Sequence, residues 1–371
     1  ADLTHDARLD APVINTMPTS GITLGGNKIT ITGFGFFTDA DVVVHWGGTD
    51  LTQLDFTKLE ADVIEFFSPP HAGGIIQVTV EAAGGVSNAL NFTYDAAATP
   101  PINFIRVTPI VVDNPTVGEW GPDGRLYVFK RNGELKAYTF DETWTLLAVD
   151  TYTGVNGLSN NEPLGIAFNP YDPPSPVRVY VGHAELFANG GGPFAGPSDY
   201  SGAVSVLEGP DFIHGPSSTI ISGLPVSNHD HAVNGMQFDN NGDLLIAVGG
   251  NTNAGIPSNK MGTLPESPLS AAILKAELSD PAFNGVITYE ETVGGAPNMD
   301  QVFGDIVDVV PGTHVSVHAS GLRNAFDIAF TTWGGLYATD NGPNSTFGPR
   351  SLDCATDGTE VGSADELDLI E

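Results

Sequence analysis

The chain has 371 residues, of which 45 are acidic and 13 are lysine or arginine, giving a formal net charge of −32. A surface this negative repels phosphates, which argues strongly against nucleic acid or an anionic membrane as partner. With one cysteine, Cys354, no disulfide can form within the chain, and no apolar run reaches the roughly 18 residues that a membrane-inserted helix needs.

The composition predicts an all-β chain. Glycine and proline, 45 and 27 residues, separate short segments that are rich in valine, isoleucine and aromatic residues. Runs of good helix formers are scarce, and short apolar segments between turn residues are typical of β-strands. The length predicts at least two domains.

The first predicted domain is a small β-sandwich. Its predicted strands lie in "KITITGFGFF", "DVVVHWGG", "DVIEFFSPP", "IIQVTVEAAGG" and "ALNFTYD", and their regular spacing is typical of a sandwich. The order "PVINTMPTSGITLGGNKITITGFGF…IIQVTV…NFTYD" resembles the immunoglobulin-like IPT/TIG domain. We expect this domain over residues 1–98 and a linker over 99–104.

The sequence pattern changes after the linker. Strand–turn–strand units occur at 121–140, 164–185, 236–250 and 328–343. Their unequal spacing favours β-propeller blades with long insertions on one face. We therefore expect a β-propeller over residues 105–371. Four blades of a larger propeller leave an open sheet edge, so we expect a further C-terminal segment or self-assembly to complete it.

Three stretches carry a resemblance to the soluble glucose/sorbosone dehydrogenases, which use pyrroloquinoline quinone (PQQ) and calcium. They are "DHAVNGMQFDNNGDLLIAVGG" (230–250), "SGLRNAFDIAF" (320–330) and "DNGPN…ADELDLI" (340–344 and 364–370). The resemblance implies a six-bladed type of propeller, incomplete in this chain. It also implies an activity, the oxidation of a sugar by hydride transfer to the quinone.

The resemblance makes His231 the general base that takes a proton from the sugar's anomeric hydroxyl. An imidazole with an ordinary pKa of about 6.5 suits that role near neutral pH. The alternative is a hydrogen-bonded structural histidine in a channel or turn. Zinc is disfavoured because no third ligand stands at a suitable spacing, and His229 is predicted to be structural.

The resemblance also implies the ligands of both cofactors. Arg323 and Asn324 match a pair that contacts PQQ, and an arginine suits a ligand with three carboxylates. The other implied PQQ neighbours are Asn160, Asn341 and Asp365, and the implied calcium ligands are the carbonyls of Gly342 and Pro343. Two alternatives stay open: an Arg323 that stacks on an aromatic ring or pairs with an acidic residue between blades, and an ordinary type I or II turn followed by an exposed acidic loop.

The sequence departs from the family pattern at several positions. Gly250 stands where the family has the aspartate that orients the histidine, and Asn251 is the nearest possible substitute. Without that carboxylate we expect the imidazole to lose control of its tautomer. Gly235 replaces an arginine, Asn160 replaces a glutamine, and residues 345–363 are an insertion between the two halves of the calcium motif.

Two functions are therefore expected from the sequence. One is a secreted quinoprotein-like dehydrogenase that oxidises sugars or related alcohols, favoured by His231, "GLRN" and "NGP". The alternative is a non-catalytic extracellular protein for adhesion, glycan binding or assembly, favoured by Gly250 and the insertion. In both cases the expected partner is a sugar or glycan, and the expected location is extracellular or periplasmic.

Overall fold

The computed structural model describes residues 11–23, 25–36, 42–95, 110–153, 162–185, 200–227, 231–291, 307–331, 334–352, 355–360 and 362–370. These residues form β-strands and turns, with one 3-10 turn at Gln53–Asp55. The prediction of an all-β chain is confirmed. The chain divides into two compact units, Ala1–Ile105 with Phe330–Leu336, and Arg106–Ala329 with Tyr337–Ile370. The predicted linker, 99–104, lies outside the described residues.

The first unit is a two-sheet sandwich. One sheet has the order β1 (Val13–Thr16), β3 (Lys28–Phe34), β7 (Val63–Phe67), β6 (Phe56–Glu60). The other has the order β2 (Ser20–Ile22), β10 (Leu90–Asp95), β8 (Gly74–Ala82), β4 (Val43–Trp46), β5 (Thr49–Leu51), with β9 (Gly85–Val86) beside β8. The β2–β10 pair is parallel.

Alternating apolar residues build the core of the sandwich, and Trp46 lies at its centre with no exposed surface. Its ring meets Phe66 edge-on at 5.2 Å between centroids. Its indole N–H donates to the hydroxyl of Tyr94 (2.7 Å), which satisfies the one polar atom of the buried ring. The five strands predicted from the sequence correspond to β3, β4, β7, β8 and β10, so their prediction is confirmed.

The second unit contains a series of antiparallel sheets. The first is β11 (Pro115–Trp120), β12 (Leu126–Lys130), β13 (Leu135–Phe140), β14 (Leu146–Tyr152), and the second is β15 (Glu162–Ala167), β16 (Arg178–Ala184), β17 (Gly202–Glu208), β18 (Thr219–Leu224). The third is β19 (Val233–Phe238), β20 (Leu244–Val248), β21 (Ala272–Ala276), β24 (Val315–Ser320). The fourth is β25 (Ala325–Phe330), β26 (Leu336–Asp340), β29 (Glu366–Ile370). The unit also contains two separate strand pairs. They are β22 (Tyr289–Glu291) with β23 (Val307–Val309), and β27 (Pro349–Leu352) with β28 (Ala355–Glu360).

The first strands of successive sheets lie side by side. A Cβ added to Gly165 in β15 would be 2.2 Å from the carbonyl oxygen of Asn234 in β19. The side-chain amide of Asn234 in turn donates to the carbonyl of Ala325, the first residue of β25 (2.9 Å). These strands therefore begin at a common end, as the first strands of propeller blades do. The prediction of a β-propeller is confirmed.

Three long connections leave the sheets at that same end, whereas the connection between β21 and β24 leaves at the opposite end. Because neighbouring strands are antiparallel, the second strand of each sheet ends where the first begins. The three are the segments that follow β16, β20 and β26, and they include the 249–271 loop and the insertion. This end of the second unit is called the loop end below.

Gly235 explains one departure from the family pattern. It lies where β19 comes closest to β25, and a Cβ at this position would be 2.7 Å from the Cα of Asp327. The backbone spacing leaves no room for any side chain, so an arginine does not fit here.

We expect Gly235→Ala to lower the free energy of unfolding by about 1–3 kcal/mol, because the added methyl group forces β19 and β25 apart. Urea denaturation measures the change. Gly215→Ala is the matched control, since a Cβ at Gly215 meets nothing within 4 Å. Equal stability of the two variants would show that the strands are not in close contact.

Candidate functional site

His231 is held at the loop end by main-chain contacts. Its Nδ1 lies 2.7 Å from the carbonyl oxygen of Gly250, and its backbone N–H donates to the Oγ of Ser227 (2.8 Å). A carbonyl can only accept, so the neutral imidazole carries its proton on Nδ1 and its lone pair on Nε2. The residue is 1% exposed.

The main-chain carbonyl of Gly250 orients His231, a role for which the sequence offered no carboxylate side chain. Asn251, the substitute considered from the sequence, is directed elsewhere, because its amide group donates to the Pro265 carbonyl (2.8 Å) and the Ser267 hydroxyl (3.3 Å). The expected loss of tautomer control is therefore wrong. A fixed main-chain acceptor selects the tautomer as a carboxylate would.

Glu266 fixes the segment that carries this carbonyl. Its carboxylate accepts the backbone N–H groups of Asn251 and Thr252 (both 2.9 Å). It also accepts the hydroxyls of Thr252 and Ser270 (both 2.6 Å). On the other side, the N–H of Gly250 donates to the carbonyl of Arg323 (2.8 Å). The carbonyl that faces His231 thus belongs to a restrained peptide.

We expect Glu266→Gln to lower the free energy of unfolding by about 1–3 kcal/mol. The side-chain NH₂ of glutamine would face backbone N–H and hydroxyl groups that are themselves donors. The same change releases the Gly250 carbonyl from its fixed position. Urea denaturation checks the stability, with the exposed Glu142→Gln as control. A variant as stable as the control would mean that the carboxylate does not organise the loop.

Asn324 lies beside His231. A Cβ added to Gly249 would be 2.4 Å from the Oδ1 of Asn324 and 2.6 Å from the Cβ of His231. The amide of Asn234 donates to that same Oδ1 (2.8 Å). Asp340 accepts the backbone N–H of Asn324 (2.7 Å) and that of Arg323 (2.9 Å), which fixes the "RN" pair at the beginning of β25.

The guanidinium of Arg323 is held by Asn253. Its Nε donates to the Asn253 carbonyl (3.0 Å) and its Nη2 to the Asn253 Oδ1 (2.9 Å). Its Nη1 donates to the carbonyl of Asn341 (3.2 Å). All three acceptors are amide oxygens, and they hold the guanidinium in place. A fixed cation with amide groups around it fits a ligand that carries carboxylates.

The implied calcium loop follows Asn341 directly along the chain. The N–H of Gly342 donates to the Oδ1 of Asp365 (3.0 Å), and the carbonyl of Pro343 accepts the N–H of Ser363 (3.1 Å). Two carbonyls and one carboxylate are the hard oxygen donors that calcium takes, but they supply only about half of its usual 6–8 ligands. Among the described residues, no three histidine, cysteine or acidic side chains gather around a point that could hold a metal.

The insertion is packed against the loop that holds Arg323. Ser351 donates its N–H to the Ala254 carbonyl (2.9 Å), and Asn253 exchanges hydrogen bonds with the backbone of Asn344 (2.9 and 3.0 Å). A cavity of about 470 Å³ opens between these two segments, and Lys260, Thr346 and Pro349 are among its lining residues. The insertion thus covers part of the loop end.

The structure places seven of the eight predicted site residues at the loop end. Hydrogen bonds connect His231, through the Gly250 peptide, with Arg323, Asn324 and Asn341, and a separate bond connects Gly342 with Asp365. Pro343 is the seventh of these residues, and its carbonyl accepts the N–H of Ser363. Asn160, the eighth, lies outside the described residues, as do His229 and Cys354. The sequence reasoning missed the residues that support the site, namely Asn253, Glu266 and Asp340. The one available signal was the polar "NTN" that directly follows the buried strand β20.

Comparison with known proteins identifies the first unit. The family model of the IPT/TIG domain matches residues 12–94. These residues are an IPT/TIG domain. A similar solved structure is the TIG domain of human nuclear factor of activated T-cells, cytoplasmic 4, at 15% identity and a TM-score of 0.18, covering 25% of this chain and 93% of that one.

The chain is also similar to solved sugar dehydrogenases. One is the holo form of the pyranose dehydrogenase PQQ domain from Coprinopsis cinerea, with 14% identity, a TM-score of 0.38, and coverage of 69% of this chain and 50% of that one. Another is a glucose dehydrogenase, with 18% identity, a TM-score of 0.36, and coverage of 70% and 66%. The chain thus spans about half the length of the pyranose dehydrogenase domain.

At these identities and TM-scores, neither similarity assigns an activity to this chain. No curated protein gives a significant match. In the described part of the chain, no helix is long and apolar enough to cross a bilayer.

Proposed function

We propose that the second unit carries the site of a quinoprotein-like dehydrogenase that oxidises a sugar or a related alcohol. The observation that supports it best is the Nδ1 contact of His231 with the Gly250 carbonyl (2.7 Å), in the same network as Arg323. That contact puts the lone pair on Nε2, where a substrate hydroxyl proton is accepted. The positive guanidinium would stabilise negative charge at the same site.

PQQ and calcium are the proposed cofactors. Arg323, Asn324 and Asn341 would contact the quinone, and the Gly342 and Pro343 carbonyls with Asp365 would contact the ion. When bound, the quinone supplies a hydride acceptor. The chain's own contributions are proton acceptance by His231 and fixation of the negatively charged ligand by Arg323. Extracellular or periplasmic location belongs to the same proposal.

The test is reconstitution of the protein with PQQ and Ca²⁺, followed by absorbance titration and dye reduction with a panel of aldoses and alcohols. We expect a saturable change in quinone absorbance and dye reduction with at least one sugar. Omission of Ca²⁺ should abolish both. A titration that leaves the quinone spectrum unchanged would contradict the proposal.

A second candidate function is a non-catalytic scaffold that binds glycans or takes part in assembly. Two observations favour it: His231 is 1% exposed, and the donors of Arg323 already contact Asn253 and Asn341. Glycan binding without any quinone binding in the same titration is the result expected of this candidate.

A further inference from the structure

Two exposed tryptophans lie at the end of the first propeller sheet that is opposite to the loop end. Trp120 ends β11 and Trp144 lies in the turn between β13 and β14, and they are 43% and 49% exposed. At the other end of this sheet, Arg131 donates to Glu162, the first residue of β15 (2.7 Å). Since β15 begins at the loop end, the tryptophans are separated from the candidate site by the length of a sheet.

The two indoles and Phe140 form one surface, called the tryptophan platform below. The ring centroids of Trp120 and Trp144 are 5.8 Å apart with an interplanar angle of 67°. Phe140 lies 6.0 Å from Trp120 and 6.4 Å from Trp144. In an edge-to-face pair, the ring that presents its edge keeps both of its faces outside that contact, so an aromatic face is available to a ligand.

The backbone of Trp144 is strained. Its φ is +65°, a left-handed conformation that is an outlier for a bulky residue and that glycine or asparagine adopts at lower cost. A turn built for stability alone would place one of those residues here. Strain of this kind persists where the surrounding structure imposes it, and it concentrates at ligand-binding sites.

Asp141 imposes this conformation. Its Oδ1 accepts the N–H and the hydroxyl of Thr143 (2.9 and 2.7 Å) and the N–H of Thr145 (2.8 Å). Its backbone carbonyl accepts the N–H of Trp144 (3.0 Å). These bonds, led by that of the Thr143 hydroxyl, lower the pKa of Asp141. The turn therefore fixes the backbone of Trp144, whose side chain is half exposed.

We propose that the tryptophan platform binds the pyranose rings of a neutral polysaccharide. The C–H face of a pyranose is apolar and carries partial positive charge, so it stacks on the negative face of an indole. Thr143 and Thr145 flank Trp144 in the turn, and their hydroxyls, which lie 3.1 Å apart, can pair with sugar hydroxyls. The net charge of −32 disfavours sulfated or uronic acid polymers.

A second copy of the chain is the competing occupant. Leu147 and Val149, on the edge strand β14, are 62% and 42% exposed and extend the apolar surface. The sugar is favoured because the strained residue is an indole beside hydroxyl groups, whereas burial against a protein would require only aliphatic area. A second copy of the chain would contact Leu147, whereas a sugar stacked on the indoles would not need it.

The test uses the protein without quinone, so its result does not depend on the proposed dehydrogenase. Cellulose, starch and a β-1,3-glucan are the neutral probes, with alginate as the polyanion. Binding is followed by co-sedimentation and tryptophan fluorescence. Three variants are compared: Trp144→Asn, which suits the left-handed backbone; Trp120→Leu, in a regular strand; and Leu147→Ser.

We expect the wild-type protein to bind at least one neutral polymer and not alginate. Trp144→Asn and Trp120→Leu should each lose about tenfold or more in affinity, whereas Leu147→Ser should bind normally. Trp144→Asn should also melt no lower than the wild type, because asparagine relieves the backbone strain.

Three results would overturn the proposal. One is failure of all the neutral polymers to bind. Another is wild-type affinity in both tryptophan variants. The third is a dimer in light scattering that Leu147→Ser dissociates, which would make a second copy the occupant.

Discussion

Dye reduction by the protein reconstituted with PQQ and Ca²⁺ is expected to fall by about 10²–10⁴-fold in His231→Ala, the usual contribution of a positioned general base. The loss should be in kcat, because the imidazole accepts the proton as the substrate reacts. Quinone binding should change little, since Arg323 and Asn324 are the residues assigned to hold it. Steady-state kinetics and the absorbance titration separate these two effects.

His318→Ala is the matched control, because His318 is an exposed histidine on β24 of the same unit. Small primary amines and imidazole added to His231→Ala should restore part of the rate if a base is what the variant lacks. A rate equal to that of the wild type would remove His231 from the reaction. Loss of quinone binding in His231→Ala would instead assign it to cofactor fixation.

A second large effect is expected from His183, which lies in a buried polar cluster of the second sheet. Its Nε2 is 2.9 Å from the Oγ of Ser205, and that hydroxyl is 3.1 Å from both His214 Nε2 and Thr219 Oγ1. The Nδ1 of His183 is buried without a hydrogen-bond partner. Burial, and secondarily the neighbouring His214, lowers the pKa of His183 from 6.5 to about 4.

The lowered pKa of His183 makes the stability of the folded protein decrease in acid. The unfolded chain takes up a proton as the pH falls through 6.5, whereas the folded protein keeps His183 neutral until about pH 4. The full stabilisation is therefore present above pH 6.5 and is lost progressively between these values, by about 3 kcal/mol in total. The charged ring would also turn an N–H at Nδ1 toward a site with no acceptor.

Urea denaturation of the wild type and of His183→Gln at about pH 8 and about pH 4 isolates this contribution. Glutamine keeps an N–H for Ser205 and does not titrate. Between the two pH values, the wild type should lose about 3 kcal/mol more stability than the variant. Parallel losses in the two proteins would show that His183 titrates normally in the folded state.

Much of the fold could be predicted from the sequence because strand signals are local. Alternating residues in "KITITGF" and the continuous apolar run "LLIAV" identify β3 and β20 without any tertiary information. Short edge strands such as β5 and β9, of three and two residues, carry no such pattern. Their pairing depends on the neighbouring strands, so they were missed.

The candidate site was predictable only in part. His231, Arg323 and Asn324 lie in recognisable sequence motifs, and hydrogen bonds connect them in the structure. The orienting group of His231 is a main-chain carbonyl, which every residue possesses and which no sequence pattern marks. Glu266 and Asn253 act on the backbone of distant segments, 14 or 15 residues away for Glu266 and up to 95 for Asn253. Such contacts exist only after the chain has folded.

The proposed role of His231 depends on its orientation by the Gly250 carbonyl, which ¹⁵N-edited NMR of histidine-labelled protein can measure. Comparison with His231→Ala assigns the signal. For neutral His231 we expect a protonated Nδ1 and an unprotonated Nε2, a pattern that should weaken in Glu266→Gln. A neutral ring with its proton on Nε2, unaffected by Glu266→Gln, would contradict it.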